Sequence, residues 1–521
     1  MPVLITGILL LNYFDAFAVT MPQIFGDYMV LQRERPAPVW GWANPGEKVA
    51  VEFAGQRKET TASPDGRWEL RLDPMPARDQ GEVMKVYGAD TNAVELRGVL
   101  VGEVWVCSGQ SNMRRPVEAP EDIAQADLPN IRFINVAYSI SSSPRRDIDK
   151  SAWKLCSTQT VGECTAVGFS FARRIQSDLG VPVGLINAVW SGTCIEPWIP
   201  LEAFDSVPEL AGYIAAFRKK AETYRKTLPD NLKILEKWTA DARAALAANA
   251  ELPPEPVWPA YWGNAKSIHP TSIKPVSIYN AMVYPLMPCA MRGVIWYQGE
   301  SNAGDQLYQY KMRALINSWR KAWFQGDFPF YFVQLANYRH DSNDPAGGDN
   351  AWARVRECQL KTLALTNTGM AVTIDIGEAD NIHPQNKFDV GERLARWALA
   401  RDYGRTNIVV SGPLYRKMKI EGQHVRLVFD HPGGGLMVGE KIGRAPAREV
   451  KNGKLMKFSI AGADKKWFWA DAVIDGATVL VSSPSVSKPV AVRYAYSTNP
   501  EGCNLYNRAG LPASPFRTDA W

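Results

Sequence analysis

The sequence predicts an α/β protein in which a parallel sheet is flanked by N- and C-terminal antiparallel β modules. Three observations carry that reading. Between about Leu100 and Tyr403 apolar strand-like runs alternate with helical ones, the order that builds a parallel sheet. Before and after that region, over 21–99 and 406–521, the chain instead shows short alternating runs punctuated by Gly and Pro. Several apolar runs of the middle region also end abruptly in polar turns, which is how an open α/β sheet brings residues to its ligand-binding edge.

Taken in order, Val49-x-Val51-x-Phe53 and Trp68-x-Leu70-x-Leu72 alternate, with a hairpin signal at Asp65-Gly66, and predict an antiparallel sandwich over 21–99. The catalytic region is expected over 100–405. In it Val167, Phe171, Ile175 and Leu179 share one helical face, Gly180 stops the helix, and a strand follows at Val181–Ile186. A helical insertion at about 201–259 interrupts the pattern. Leu210, Ile214, Phe217, Ala221, Tyr224 and Leu228 recur three or four apart; Pro229 is expected to break this run, and an extended aromatic loop over Pro253–Trp262 to lead back. After Tyr403, Val425-x-Leu427-x-Phe429, Thr478–Val481 and Val490-x-Val492-x-Tyr494 predict the C-terminal β module.

At 521 residues the chain exceeds one core and suggests about two to four domains. A net charge of +5 with no basic run offers no footprint for nucleic acid. Seven scattered cysteines and five histidines show neither a disulfide framework nor metal-ligand spacing, so no metal and no cofactor is expected. Val3–Leu11 is mostly apolar and Ala16-Phe17-Ala18 resembles a cleavage signal, so 1–20 reads as a signal peptide without the usual basic start and implies a secreted or periplasmic protein. No later run has the roughly 20 apolar residues of a membrane span. Nothing in the sequence specifies an oligomeric state.

The run Val104-Trp-Val-Cys107 enters Ser108-Gly109-Gln110-Ser111-Asn112, which places the Ser111 hydroxyl on a tight turn at the sheet edge. A serine there becomes a nucleophile only if a base takes its proton. Three further strand ends could complete such a site. Leu185–Trp190 enters Ser191-Gly192-Thr193, where Gly192 lets a backbone N–H approach a carbonyl closely. Gly293–Tyr297 enters Gln298-Gly299-Glu300-Ser301-Asn302, whose amides can donate to an oxyanion, each donor worth about 3 kcal/mol. Ala371–Asp375 leads to Asp380-Asn381-Ile382-His383-Pro384. A carboxylate three residues before a histidine can accept its Nδ1 proton and leave Nε2 facing the serine. Each turn alone is commonplace; their joint occurrence behind strands marks a site.

Gly109–Met113, the Gly192 stretch, Trp296–Asn302 and Asp380-x-x-His383-Pro384 resemble the four blocks of the sialate O-acetylesterase family of SGNH-type hydrolases. The likeness extends from Met29–Arg33 and Pro38–Trp42 to Asn504–Asn507 and Ser514–Thr518. It implies a flavodoxin-like catalytic domain, a Ser-His-Asp mechanism and hydrolysis of acetyl esters on carbohydrate hydroxyls. By motif, Ser111 is the nucleophile, His383 the base and acid, and Asp380 its orienter, with Glu378 or Asp375 as alternatives. The Ser111 and Gly192 N–H groups would form the oxyanion hole, and either Gln298 or Asn302 would be the third donor.

Arg114-Arg115 departs from the family pattern, in which an acidic or apolar residue follows the serine block. Facing the cleft, these guanidiniums would bind a substrate carboxylate; otherwise they pair with Glu118, Glu121 or solvent. Trp198 is a candidate stacking face for a sugar, as are Trp190, Trp296 and Tyr297. Glu300 either lines the substrate cleft or braces its loop. The implied substrate is an O-acetylated sialic acid, with acetylated xylan or another polysaccharide as the rival. Outside the enzymes, the rival is a non-catalytic carbohydrate-binding protein.

Overall fold

The computed structural model describes residues 19–521 apart from 90–92, 257–274, 342 and 349. The signal-peptide reading, resting on residues before 19, and most of the aromatic loop lie outside the described residues.

The sheet is built around the strand Val94–Gly109. Its second half contains Val104, Trp105, Val106 and Cys107 in succession, all buried, as a parallel strand covered on both faces requires. Val183–Val189 and Gly293–Tyr297 flank it in parallel, with Gly109 level with Val189 on one side and Tyr297 on the other. Phe330–Val333 and then Thr368–Ala371 extend the sheet on the Tyr297 side, all parallel. Leu128–Asn135 lies beyond Val183–Val189, followed by the antiparallel Trp153–Cys156. The expected α/β class with a parallel sheet is borne out. Three strand ends therefore finish side by side, those preceding Ser111, Trp190 and Gln298. The Thr368–Ala371 strand stands three places from the serine strand, so His383 must be carried back across the sheet edge.

The helix Ala166–Leu179 follows its sequence signals: the Thr165 hydroxyl caps Gly168 N–H, and Gly180 ends it at φ +66°. The helix Lys387–Arg401 packs against it at Gly391, where a Cβ would fall 2.6 Å from Val167 O. That close approach sets the helix whose first residue, Lys387, lies under the serine turn.

The Val94–Gly109 strand crosses the expected boundary at 99/100. Its first half pairs with Arg78–Tyr87, which in turn pairs with Lys48–Phe53, and Val30–Gln32 adds a parallel partner. The N-terminal strands thus share one core with the catalytic region. The C-terminal strands form antiparallel sheets with a separate core around Val425, Leu427, Ile460, Val479, Val492 and Phe516. All seven cysteines are unpaired. Pro229 does not break the insertion: Ala211–Ala247 is one 37-residue helix running through it. A proline removes its own N–H bond to the carbonyl four residues earlier and crowds that carbonyl, and here the carbonyl belongs to Arg225, an exposed residue that water can reach.

Arg356 joins the two cores. It is fully buried and donates to the carbonyls of Leu335, Ala336, Ser497 and Thr498 at 2.7–2.9 Å. Burial pushes its guanidinium down to about 9. Replacing it with methionine would remove the guanidinium donors from all four carbonyls, and among the described residues only Thr498 O keeps a further, long bond, from Tyr338 N–H at 3.5 Å. Arg356→Met is expected to lower unfolding stability by about 3 kcal/mol or more, read from urea melts; an unchanged midpoint would refute this role.

Candidate active site

Ser111 opens the short helix Ser111–Arg114 two residues beyond the end of the central strand. The chain turns there because Gly109 adopts φ +132° with a backbone that any side chain would obstruct; a Cβ would lie 2.1 Å from Tyr297 O. Gln110 N–H donates to that same Tyr297 carbonyl at 3.0 Å, and Trp190 N–H donates to Gly109 O at 3.0 Å. Serine turn and Gly192 loop are therefore anchored to the same few atoms of the sheet.

His383 reaches this turn across the edge, its Nε2 2.8 Å from Ser111 Oγ. With the serine hydroxyl donating, the imidazole carries its proton on Nδ1. The His383 N–H donates to Asn381 Oδ1 at 2.9 Å, Asn381 Nδ2 donates to Glu378 Oε2 at 2.8 Å, and Glu378 Oε1 accepts the Gln385 N–H at 2.7 Å. Burial lowers the imidazole pKa, and the Arg115 and Lys387 cations lower it further, so the ring is neutral at neutral pH.

None of the three candidate acids touches this imidazole. Asp380 is 85% exposed, with its carboxylate 3.5 Å from His340 Nε2. Asp375 is held bidentately by Arg393 at 2.6 and 2.8 Å, and Glu378 is occupied as described. Among the described residues no carboxylate bonds to His383 Nδ1. The three-residue spacing gave Asp380 the reach, but Asn381 fills the interior of the turn and leaves Asp380 facing outward.

The expected third oxyanion donors have other partners. Gln298 Nε2 donates to Thr193 O at 3.2 Å and Asn302 Oδ1 at 2.8 Å. Asn302 accepts from Ile195 N–H at 2.9 Å and donates to Glu196 and Asp305, each at 3.2 Å. Both side chains are buried and hold the Gly192 loop from beneath. Gly192 itself is exposed at φ +72°, leaving its N–H near the serine turn as an oxyanion candidate beside that of Ser111.

Trp198 offers no sugar-stacking face, being fully buried edge-on to Trp296 with its Nε1 donating to Thr193 Oγ1. Trp296 and Tyr297 are buried as well. Glu300 is also enclosed: Oε1 accepts from Asn112 Nδ2 at 2.5 Å, and the orientation of Gln110 that satisfies both ends of its amide turns the nitrogen toward Glu300 Oε2 at 3.2 Å. It braces its loop and does not line the cleft.

Arg114 and Arg115 remain on the exposed rim. The Arg114 guanidinium lies over the Tyr138 ring at 5.1 Å, and Tyr138 stacks on Trp190 at 4.6 Å. Arg115 stands only loosely against Glu118, at 3.8 Å, while Glu121 pairs with Arg444. Tyr138 and Lys387 escaped the sequence reading. Lys387 had one signal, its place four residues after His383 at the start of a helix; Tyr138 had none. Among the described residues no cluster of three His, Cys, Asp or Glu side chains could hold a metal ion.

Comparison with known proteins agrees with this architecture. Residues 265–400 match the family model described as carbohydrate esterase, sialic acid-specific acetylesterase. The sialate O-acetylesterase of Rattus norvegicus is 28% identical over 94% of this chain and 92% of its own, and that of Homo sapiens 27% identical over 94% and 90%. A crystal structure of a carbohydrate acetylesterase from Xanthomonas citri superposes with a TM-score of 0.77 at 36% identity, covering 96% of this chain and 100% of that one. Fold and family together define a carboxylic ester hydrolase of the SGNH type. Within that class, the chain belongs to the sialate O-acetylesterase family of carbohydrate esterases.

Because burial and two cations favour the neutral imidazole, the acid limb of kcat/KM should lie below the ordinary histidine value of about 6.5. Removing one cation favours the protonated form. Arg115→Gln is expected to move that limb to higher pH with p-nitrophenyl acetate as substrate, and a limb that stays in place would place Arg115 outside the field of His383.

Proposed function

We propose that this protein removes O-acetyl groups from carbohydrate hydroxyls by acyl transfer through Ser111, with His383 as its base. The single observation that carries the reading is the 2.8 Å contact between Ser111 Oγ and His383 Nε2 at the level sheet edge. Ser111 Oγ attacks the acetyl carbonyl as its proton passes to Nε2. The resulting oxyanion lies toward the N–H groups of Ser111 and Gly192. The imidazolium then gives its proton to the departing sugar oxygen, leaving an acetyl ester on Ser111. Water, deprotonated by His383, adds to that ester; collapse expels Ser111 Oγ, which recovers its proton, and acetate leaves.

The pair acts as a dyad, because Asp380 stands toward solvent and His340. Asp380→Asn is therefore expected to keep kcat within about threefold of the parent, against the roughly 10⁴-fold loss that follows when a triad aspartate is replaced. Ser111→Ala should abolish acetate release from p-nitrophenyl acetate without lowering the melting temperature. Turnover surviving in Ser111→Ala would remove the serine from the mechanism, and a collapse in Asp380→Asn would restore the triad. Each step is supplied by the chain's own groups, so activity should survive dialysis against a chelator.

The proposed substrate is an O-acetylated sialic acid. Two guanidiniums on the rim suit a sugar carboxylate, Arg114 against the Tyr138–Trp190 stack and Arg115 beside His383, and the mammalian relatives are sialate O-acetylesterases. The apolar run Val3–Leu11 supports export to a secreted or periplasmic location, and no helix among the described residues is long and apolar enough to cross a membrane. Comparing acetate release from O-acetylated sialic acid and acetylated xylan tests the assignment. Arg115→Gln should raise KM about tenfold for the sialic acid and leave xylan unchanged. Preference for xylan, or an equal effect on both substrates, would overturn it.

A further inference from the structure

The imidazole has no carboxylate partner among the described residues, yet it sits within hydrogen-bond distance of Ser111. The explanation lies in the backbone on either side of it. Asn112 Nδ2 donates to Ile382 O at 3.0 Å, and Lys387 Nζ donates to Pro384 O at 2.5 Å. These are the carbonyls immediately before and after His383. The two donors are themselves joined, with Lys387 Nζ 2.7 Å from Asn112 Oδ1. Glu300 Oε1 accepts from Asn112 Nδ2 at 2.5 Å, which sets the direction of that amide: nitrogen toward Glu300 and Ile382, oxygen toward Lys387.

We infer that the buried series Lys387–Asn112–Glu300 positions His383, holding through its flanking carbonyls the ring that no carboxylate holds through Nδ1. The inference rests on the Ser111–His383 reading. Asn112 directly follows Ser111 in the chain, so the same residue that fastens the histidine loop is fastened to the nucleophile; a shift of one carries the other. Lys387 is a positioning residue, since it touches neither substrate nor the reacting atoms.

Energetics make a merely incidental lysine a poor explanation. Lys387 is 5% exposed, and its ammonium lies 5.8 Å over the Tyr297 ring. A buried ammonium is costly unless its donors are used, and a methionine of similar length would fill the same slot without that cost. Burial pushes Lys387 down to about 7 and Glu300 upward. Glu300 across the Asn112 amide, with Glu378 farther off, favours the charged lysine, whereas Arg115 opposes it. Lys387 and Arg115 are the cations felt at the histidine.

The test compares full-length Lys387→Met with the parent on p-nitrophenyl acetate. Misplacing a base by a fraction of an ångström costs rate and not ground-state affinity, so kcat should fall about tenfold to a hundredfold while KM stays within about threefold. Labelling of Ser111 by a fluorophosphonate should slow in parallel. The acid limb should rise, because a cation beside His383 has gone. A folded Lys387→Met with kcat within about twofold of the parent overturns the proposal, as does a lower melting temperature with kcat, KM and acid limb all unchanged. If that variant does not fold, Asn112→Asp decides. It is isosteric and keeps an acceptor for Lys387 but loses the donor to Ile382 O; kcat should again fall about tenfold, and parent-like kcat overturns the proposal. Ser111→Ala separates the two readings: activity there sinks the serine mechanism, whereas a dead Ser111→Ala beside a normal Lys387→Met sinks only the positioning role.

Discussion

The backbone of Gly109 passes so close to the Tyr297 carbonyl that a Cβ would lie 2.1 Å from it, and this contact decides where Ser111 can stand. The strand cannot slide along its neighbour without breaking the Gln110 N–H bond to the same carbonyl. The serine is thus set two residues beyond a rigid strand end, a more exact placement than a long loop provides. The Gly192 loop gains its height from Trp190 N–H on Gly109 O. Two of the three parts of the site therefore derive from one pair of strands in parallel register. The third part arrives from a strand three places away and needs its own fastening.

How much of this was legible follows from what a sequence pattern encodes. Uninterrupted apolar runs report burial on both faces, so the strands ending at Gly109, Val189 and Tyr297 could be read, as could the helix Ala166–Leu179 with its Thr165 cap and Gly180 stop. Spacing reports reach and not direction. Asp380 lies close enough in the chain to fold back on His383, yet the Asn381 side chain takes the His383 N–H and leaves Asp380 outside. Gln298 and Asn302 carry the donors expected of an oxyanion hole, but each is satisfied by the loop it supports. Trp198 sits beside the site in sequence and inside the core in space. The continuity of the chain across the expected 99/100 boundary was not legible for another reason: one 16-residue strand pairs with the N-terminal sheet by its first half and the catalytic sheet by its second.

The polar groups beneath the site form braces. Lys311 Nζ bonds to Glu196 at 2.5 Å and Asp305 at 2.7 Å, directly under Asn302, while Arg393 clamps Asp375 below the histidine loop. Buried ion pairs of this kind add little net stability, because desolvation offsets their attraction. What they add is direction: each charged group accepts only an arrangement in which its partners are met. The backbone of the Gly192 and His383 loops is thereby tied down from inside. The rim can then vary, and it is on the rim that Arg114, Arg115 and Tyr138 stand.

The proposed Ser111–His383 dyad, with no carboxylate on Nδ1 among the described residues, faces an electrostatic difficulty, since proton transfer from the serine would create an imidazolium beside two cations. The same cations that disfavour it, Arg115 and Lys387, favour the negative charge that appears on the substrate in the same step. The two effects are of opposite sign. The net cost is therefore smaller than the lowered imidazole pKa alone would suggest. It falls further as the nascent oxyanion approaches the imidazolium, because the pair is formed as a dipole and not as isolated charges. In such a site geometry outweighs basicity. A neutral ring held at 2.8 Å from the hydroxyl can take its proton without a strong acid behind it, provided the backbone on both sides of that ring cannot move.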